Sequence, residues 1–542
     1  MAAGTFPDAA EVGAYAQRLL AEQKLDPKGP GLALLVARGD QLLYKGAAGS
    51  ASIELGVPAN ADQLFRIGSV TKQFAAAALL KLVDEGRASL DDPLSKFLPD
   101  YPQGSSITLA QLLNHSSGVR SYTSIPGYMH NPVRRELSTA ELINEFKNLP
   151  PDFAPGAGWA YNNSGYVLVG AVIEAISGKP WHTYLDQALL KPGQLGRTFY
   201  PGEQRVLPGM VQGYSQEPGQ PVQAAGLLSM TQPHAAGALV SNVEDLWRWN
   251  RLLHGGALLK PASYQRMITP EGAATQGSMR YGFGIAAGQL RGQPWLQHDG
   301  GIHGFVSHLS YQPQTQVTVA LLRNSDGRGP NLDTLSRKLA AFAGGNPYPE
   351  SKPVVLPAAA LKALEGVYAK EGGKPGETRS LRVRDGRLYS VRAGGQPLAL
   401  EPQSEVEFAF ANSLSRLRVE RDAQGRPQAL RTYQDGDGAF ERWLRSGDLP
   451  AEQSIELSAA QQQALVGDYA SDQIKLKVFR DEASGALKVQ VQGQPAFALK
   501  ARTPRSLYLT VVDARLDFEP AEGAVTQLTL TQGPGRFVLQ RR

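Results

Sequence analysis

Up to about Gly345 the hydrophobic pattern switches between helical and strand spacing. Pro7 to Leu25 carries Val12, Tyr15, Leu19 and Leu20 at helical intervals. Gly31 to Lys45 reads as a β-hairpin with apolar runs on either side of Gly39-Asp40. A second hairpin is predicted over Gly304 to Ser325, turning at Gln312-Pro313-Gln314, and a helix over Leu332 to Phe342 follows it. Two hairpins so far apart, with long helical stretches between, predict one α/β unit whose sheet joins both ends of the domain.

The segment 344–357 is dense in Gly and Pro and reads as a linker. Beyond it, short alternating strands dominate and the sequence repeats. Ala363-Leu364-Glu365-Gly366-Val367-Tyr368 recurs as Ala464-Leu465-Val466-Gly467-Asp468-Tyr469. Gly395-Gln396-Pro397-Leu398-Ala399-Leu400 returns as Gly493-Gln494-Pro495-Ala496-Phe497-Ala498-Leu499, and Phe440-Glu441-Arg442 as Phe537-Val538-Leu539. Three landmarks in one order, each about a hundred residues on, predict two copies of an all-β unit, 358–447 and 455–542. Units of that size suit small antiparallel barrels, not a solenoid.

Composition narrows the class. The 542 residues carry 55 Lys+Arg against 50 Asp+Glu, with 19% charged and 42% apolar residues, which is an ordinary globular balance and not a disordered or coiled-coil one. The excess positive charge forms no Lys/Arg block, so a nucleic-acid partner is not expected. With no cysteine, disulfide scaffolds, cysteine nucleophiles and thiolate metal sites are excluded. No run approaches the ~18 apolar residues of a membrane span. Met1 to Pro7 lacks the basic and apolar regions of a signal peptide. The expectation is therefore either a cytoplasmic protein or a periplasmic or secreted one whose signal has been removed.

Ser69-Val70-Thr71-Lys72, the one S-x-x-K in the chain, precedes an apolar helix from Phe74 to Val83. Residues i and i+3 share a helix face, so the Lys72 amine reaches the Ser69 hydroxyl. The helix dipole favours the negative charge of an attacking alkoxide, and a buried lysine gives up its proton to act as a base. The bland reading is an N-cap serine and a surface lysine. Tyr161-Asn162-Asn163 is the one Y-x-N among 19 tyrosines and precedes the helix Tyr166 to Ile176. A tyrosinate held near an ammonium would relay a proton to a leaving group, and Asn163 would orient substrate; alternatively, the tyrosine packs under a turn and an asparagine caps the helix. Of two H-x-G tripeptides, His254-Gly255-Gly256 ends the helix Val243 to Leu253 and reads as a C-cap. His298-Asp299-Gly300 lies at a strand, where glycines let a ligand lie along the edge. His298 is read as functional; His254, His303, His308 and His115 are read as structural. No H-E-x-x-H, clustered carboxylates or G-x-S-x-G elbow is present, so neither a metal nor a cofactor is expected.

Ser69-x-x-Lys72, Tyr161-x-Asn163 and His298-x-Gly300, in that order, resemble the three motifs of the serine β-lactamase/penicillin-binding-protein superfamily, in its class C-like branch. Leu112-Leu113-Asn114-His115-Ser116-Ser117-Gly118 and Phe153-Ala154-Pro155-Gly156 read the same way. The likeness covers about residues 10–343, and the added β units resemble the lipocalin-like barrels of three-domain D-aminopeptidases. It implies a multidomain chain: an α/β catalytic domain over 1–343, with an antiparallel sheet, flanking helices and an all-helical subdomain, then two antiparallel barrels. It also implies acyl transfer in two steps. Ser69 attacks a carbonyl, Lys72 and Tyr161 move protons, and the backbone N–H groups of Ser69 and Gly301 form the oxyanion hole, worth about 3–4 kcal/mol per donor.

One departure bears on substrate. Where β-lactamases and transpeptidases usually carry lysine in the third motif, this chain has His298, mostly neutral at pH 7. Aminopeptidase, amidase or esterase activity is therefore expected over carboxypeptidase or β-lactamase activity; the main reading is amide hydrolysis of short peptides or amino-acid amides, with a D-stereospecific aminopeptidase as one form of it. The alternatives are an esterase or lactonase, an acyltransferase or macrocyclase, or a pseudoenzyme whose barrels bind a ligand. The expected partner is a small molecule or short peptide; a homodimer is left open. A barrel loop is expected to close one end of the Ser69 cleft, with an acidic residue meeting a substrate amine.

Overall fold

The computed structural model describes residues 6–542 except 204, 218–219, 277–278, 412, 450–453, 472–473, 483, 510–513 and 533–534. The chain divides into two compact units, Met1–Tyr348 and Pro349–Arg542, so the division falls inside the Gly/Pro-rich segment.

The first unit is built on a six-stranded antiparallel sheet. Its strands are β1 (Leu32–Arg38), β2 (Gln41–Ala48), β3 (Ala286–Leu290), β4 (Gln293–Ile302), β5 (Phe305–Gln312) and β6 (Val317–Arg323), in the order β2-β1-β6-β5-β4-β3. Both predicted hairpins are present, and β1 pairs with β6 from Leu32↔Arg323 to Arg38↔Val317. The two ends of the unit thus share one sheet. Every residue of β6 is buried, as expected of a central strand covered on both faces.

Five helices matter for the site: α1 (Ala9–Glu22), α2 (Thr71–Asp84), α3 (Asn163–Ser177), α4 (Val243–His254) and α5 (Leu332–Ala343). Helices α1 and α5 pack together through Tyr15 and Phe342, stacked at 4.1 Å. Ser336 of α5 meets Ser310 of β5 at 2.7 Å. Asn250 of α4 reaches Thr318, which has opposite parity to Val319, the partner of Ser310. Side chains alternate across a strand, so α4 and α5 cover opposite faces. Helices α2 and α3 are apolar nearly all round, with Phe74 to Leu80 and Ser164 to Ile173 buried without a break, as befits helices inside a domain. Trp249 of α4 stacks on Phe74 of α2 at 3.9 Å, and its indole N–H donates to Gln73 Oε1 at 3.1 Å. This contact ties the sheet-covering helix to the helix that carries Lys72.

The second unit contains two closed eight-stranded antiparallel barrels. The first runs β7 (Gly366–Lys370), β8 (Thr378–Arg384), β9 (Arg387–Arg392), β10 (Leu398–Pro402), β11 (Glu407–Phe410), β12 (Arg416–Arg421), β13 (Pro427–Tyr433) and β14 (Phe440–Gly447). The second runs β15 (Gly467–Ala470), β16 (Lys475–Arg480), β17 (Leu487–Val491), β18 (Phe497–Thr503), β19 (Ser506–Leu509), β20 (Ala514–Glu519), β21 (Gln527–Gln532) and β22 (Gly535–Arg541). Closure removes the sheet edges. The copies share fine detail: Tyr368 donates to the Leu364 carbonyl at 3.0 Å and Tyr469 to the Leu465 carbonyl at 2.9 Å.

Because Trp249 is fully buried and bridges α4 and α2, Trp249→Ala is expected to lower the stability of the first unit by about 3–5 kcal/mol. Urea unfolding followed by near-ultraviolet circular dichroism checks this. An unchanged midpoint would show that the stack carries no weight.

Candidate active site

Ser69 lies in a single 3-10 turn, Gly68–Val70, that runs straight into α2. Gly68 has φ +49°, and a Cβ on it would stand 3.0 Å from the Gly301 backbone nitrogen. Only glycine lets this turn rest on β4. The serine is thereby held just ahead of a helix N-terminus, where unpaired N–H groups and the dipole favour negative charge.

Lys72 is 0% exposed. Its Nζ lies 2.8 Å from Asn163 Oδ1, 2.9 Å from the Ala236 carbonyl oxygen and 3.0 Å from Ser69 Oγ. The first two groups can only accept. A free amine has two N–H donors and one lone pair, so it satisfies both acceptors and takes a hydrogen bond from the Ser69 O–H. An ammonium would donate all three protons and leave the serine unactivated. Burial acts in the same direction, holding the Lys72 pKa well below the usual lysine value.

Tyr161 brings its ring centroid within 4.8 Å of the same Nζ. Its hydroxyl is buried with no hydrogen-bond partner among the described residues. Burial raises its pKa, against a smaller opposing effect from Ser69. The expected ammonium–tyrosinate pair is therefore corrected to a free amine beside a phenol: in so dry a site the neutral pair avoids placing two charges out of water. The two asparagines divide the work of the motif. Asn162 caps α3 by accepting from the Gly165 N–H at 2.7 Å, whereas Asn163 faces Lys72 and donates to Thr123 Oγ1 at 3.1 Å.

His298 is buried on β4, on the strand face turned toward Lys72 and Tyr161. Its Nδ1 lies 2.6 Å from the Asp299 carbonyl oxygen and its Nε2 lies 2.6 Å from Tyr281 Oη. A carbonyl only accepts, so Nδ1 carries the proton and Nε2 accepts from the tyrosine. Burial and the neighbouring Lys72 lower its pKa to about 4. Gly300 is required by contact: a Cβ there would fall 2.1 Å from the Ile67 carbonyl oxygen and 2.2 Å from Ser307 Oγ. Strand β3 pairs with β4 only as far as Gln297, so residues 298–302 present an open edge beside Ser69.

The structure thus brings Ser69, Lys72, Tyr161, Asn163, His298, Gly300 and Gly301 together. His254 stands apart, stacked on Tyr311 at 4.1 Å. His115, assigned above to local structure, is in fact part of the site wall, with ring centroids 4.4 Å from Tyr161 and 4.5 Å from Tyr281. Its Nδ1 accepts from the Asn162 N–H at 3.2 Å. Tyr281 was missed from the sequence; its only signal is the Gly282-Phe283-Gly284 that follows it, which reads as a turn.

The family model described as "Beta-lactamase" matches residues 16–343, the span that holds all of these side chains. The chain belongs to the beta-lactamase family. Among curated relatives in the beta-lactamase family's reach, a D-aminopeptidase of Gluconobacter oxydans is 26% identical over 397 residues, covering 71% of this chain and 73% of its own. A D-stereospecific amidohydrolase from Streptomyces sp. superposes with a TM-score of 0.54 at 30% identity, over 62% of this chain and 98% of its own. A structure described as SurE, 22% identical with a TM-score of 0.51, spans 98% of this chain and 99% of its own, so its likeness in fold extends through the barrels. As a member of the beta-lactamase family, this chain is a serine hydrolase.

Two outcomes are expected. Gly300→Ala should cut kcat/KM by about 100-fold or more, because displacing the β4 edge by an ångström misplaces the reacting groups; retention of activity would show that the strand yields. The rate should also rise with pH through the lowered Lys72 pKa, since only the free amine accepts the serine proton. Lys72→Arg, protonated at every accessible pH, should lose roughly 10²–10⁴-fold in kcat with no recovery at alkaline pH. A pH–rate profile of both proteins decides it.

Proposed function

We propose that the protein is an amidase of the aminopeptidase type, acting through an acyl-enzyme on short peptides or amino-acid amides that carry a free amine, with preference for D-residues. The Ser69 proton passes to Lys72 Nζ as Oγ bonds to the substrate carbonyl. The backbone N–H groups of Ser69 and Gly301 hold the oxyanion. The Tyr161 phenol then protonates the leaving nitrogen as the C–N bond breaks, and the Lys72 ammonium returns a proton to Tyr161. Water attacks the ester by the reverse path, releasing the acid and free Ser69. Asn163 and His298 line the substrate side, with Gly300 keeping the strand edge clear.

The observation that carries the substrate class is the charge of the third motif. His298 has both ring nitrogens engaged and is neutral, so no cation stands there for a substrate carboxylate. Its neighbour Asp299, opposite in parity, turns its side chain to the other face of the sheet, where it pairs across the strands with His308. One carboxylate oxygen meets His308 Nδ1. A third motif without a cation offers nothing to a substrate carboxylate, and the names of the D-aminopeptidase and D-stereospecific amidohydrolase relatives agree with an amide substrate.

The test pairs a D-amino-acid p-nitroanilide with its N-acetyl analogue. The protein should cleave the free-amine substrate with kcat/KM about 10- to 100-fold above the acetylated one. Ser69→Ala should abolish both activities and the labelling of the protein by a fluorophosphonate. Equal rates on the two substrates would remove the free amine from recognition. A wild-type protein that cleaves esters and not amides would overturn the amidase reading itself.

A further inference from the structure

The two barrels descend from one pattern, and their strand registers allow them to be compared position by position. Tyr368 faces Arg379 as Tyr469 faces Leu476, and Tyr368 faces Arg445 as Tyr469 faces Arg541. Counting from these pairs, Arg379 corresponds to Leu476 and Ser390 to Val489. Likewise Thr432 corresponds to Leu530, Glu441 to Phe537 and Trp443 to Leu539. At these positions the second barrel holds aliphatic and aromatic side chains. The same positions, at one end of the first barrel, hold an arginine, a serine, a threonine, a glutamate and a tryptophan.

Packing does not demand that difference, since the second copy closes without it. Arg379 is 3% exposed. Its Nη1 donates to Ser390 Oγ at 2.5 Å, but its Nε is buried with no partner. No carboxylate forms an ion pair with it among the described residues. The nearby Glu441 is held instead by Lys370 at 3.0 Å and Arg392 at 2.9 Å. The guanidinium rests against Trp443 at 4.8 Å and Phe410 at 5.7 Å from the ring centroids. Burial and the nearby Arg392 lower its pKa to about 10, against a smaller opposing effect of Glu441. A buried, unpaired charge is unfavourable unless something pairs with it.

We propose that this end of the first barrel is a binding site for a small organic carboxylate, which pairs with the Arg379 guanidinium and sets its apolar part against Trp443 and Phe410. The planar fork of arginine matches a carboxylate, and the aromatic faces suit a short hydrocarbon group. Lys370 and Arg392 stand at the rim with partly exposed side chains, paired with Glu441 and, for Lys370, Glu377, so Arg379 is the cation left for the ligand.

Trp443 is the one tryptophan beyond residue 295, so it reports on this barrel alone. The full chain is labelled with 5-fluorotryptophan, the Trp443 resonance is assigned by Trp443→Phe, and sodium acetate and sodium propionate are titrated against chloride at constant ionic strength. The expected result is a saturable shift of the Trp443 resonance only, lost in Arg379→Leu, which installs the residue the second barrel already uses. Arg379→Gln, which retains a donor for Ser390, should also lose the shift and covers the case in which the leucine variant does not fold. A shift that is absent, that grows linearly without saturating, or that persists in the variants would overturn the site and leave Arg379 a structural plug.

Discussion

A lysine amine with no access to water must find neighbours that match its protons one for one, and the catalytic unit is arranged around that requirement. Asn163 Oδ1 and the Ala236 carbonyl take the two N–H groups of Lys72, and Ser69 supplies the proton that the lone pair accepts. Each partner comes from a different element, so α2, α3 and the segment at Ala236 must meet within hydrogen-bond distance. The apolar all-round character of α2 and α3 makes that meeting possible, because neither helix needs a solvated face. The same dryness that lowers the lysine pKa keeps Tyr161 a phenol and His298 neutral. The site therefore begins the reaction uncharged at its centre, with charge appearing only as the substrate is attacked.

A second constraint is the closeness of backbones. The turn carrying Ser69 lies on β4 with no side chain between them, at Gly68 from one side and Gly300 from the other. Ser307 of β5 fastens the arrangement by donating to the Ile67 carbonyl at 2.7 Å. The nucleophile and the strand edge along which a substrate lies are in this way positioned by main chain, which is less mobile than side chains.

Much of this was legible in the sequence because the underlying signals are short and local. Apolar runs on either side of turn residues mark the hairpins that become β1–β2 and β5–β6, and the S-x-x-K spacing follows from helix geometry. The duplication was visible because Tyr368 and Tyr469 do the same job in each copy. What stayed hidden depended on contacts between distant parts of the chain. His115 looked like a turn residue, and its φ of +67° fits a turn; its place in the site wall depends on Tyr281, 166 positions further on. The protonation state of the Lys72–Tyr161 pair was likewise unreadable, since burial is a property of the folded unit. The polar end of the first barrel needed strand register before its positions could be set against those of the second.

The joining of the chain's early and late strands has a consequence for how the protein is made. Strand β1 is buried from Leu32 to Ala37, yet its partner β6 begins at Val317. During synthesis at about 5–20 residues per second, β1 waits roughly 15–60 s with one edge open. An apolar strand with an unpaired edge is a template for association between chains. Crowding of nascent chains on one message, or slow translation of the stretch between the two strands, would thus act on yield before any property of the finished enzyme came into play.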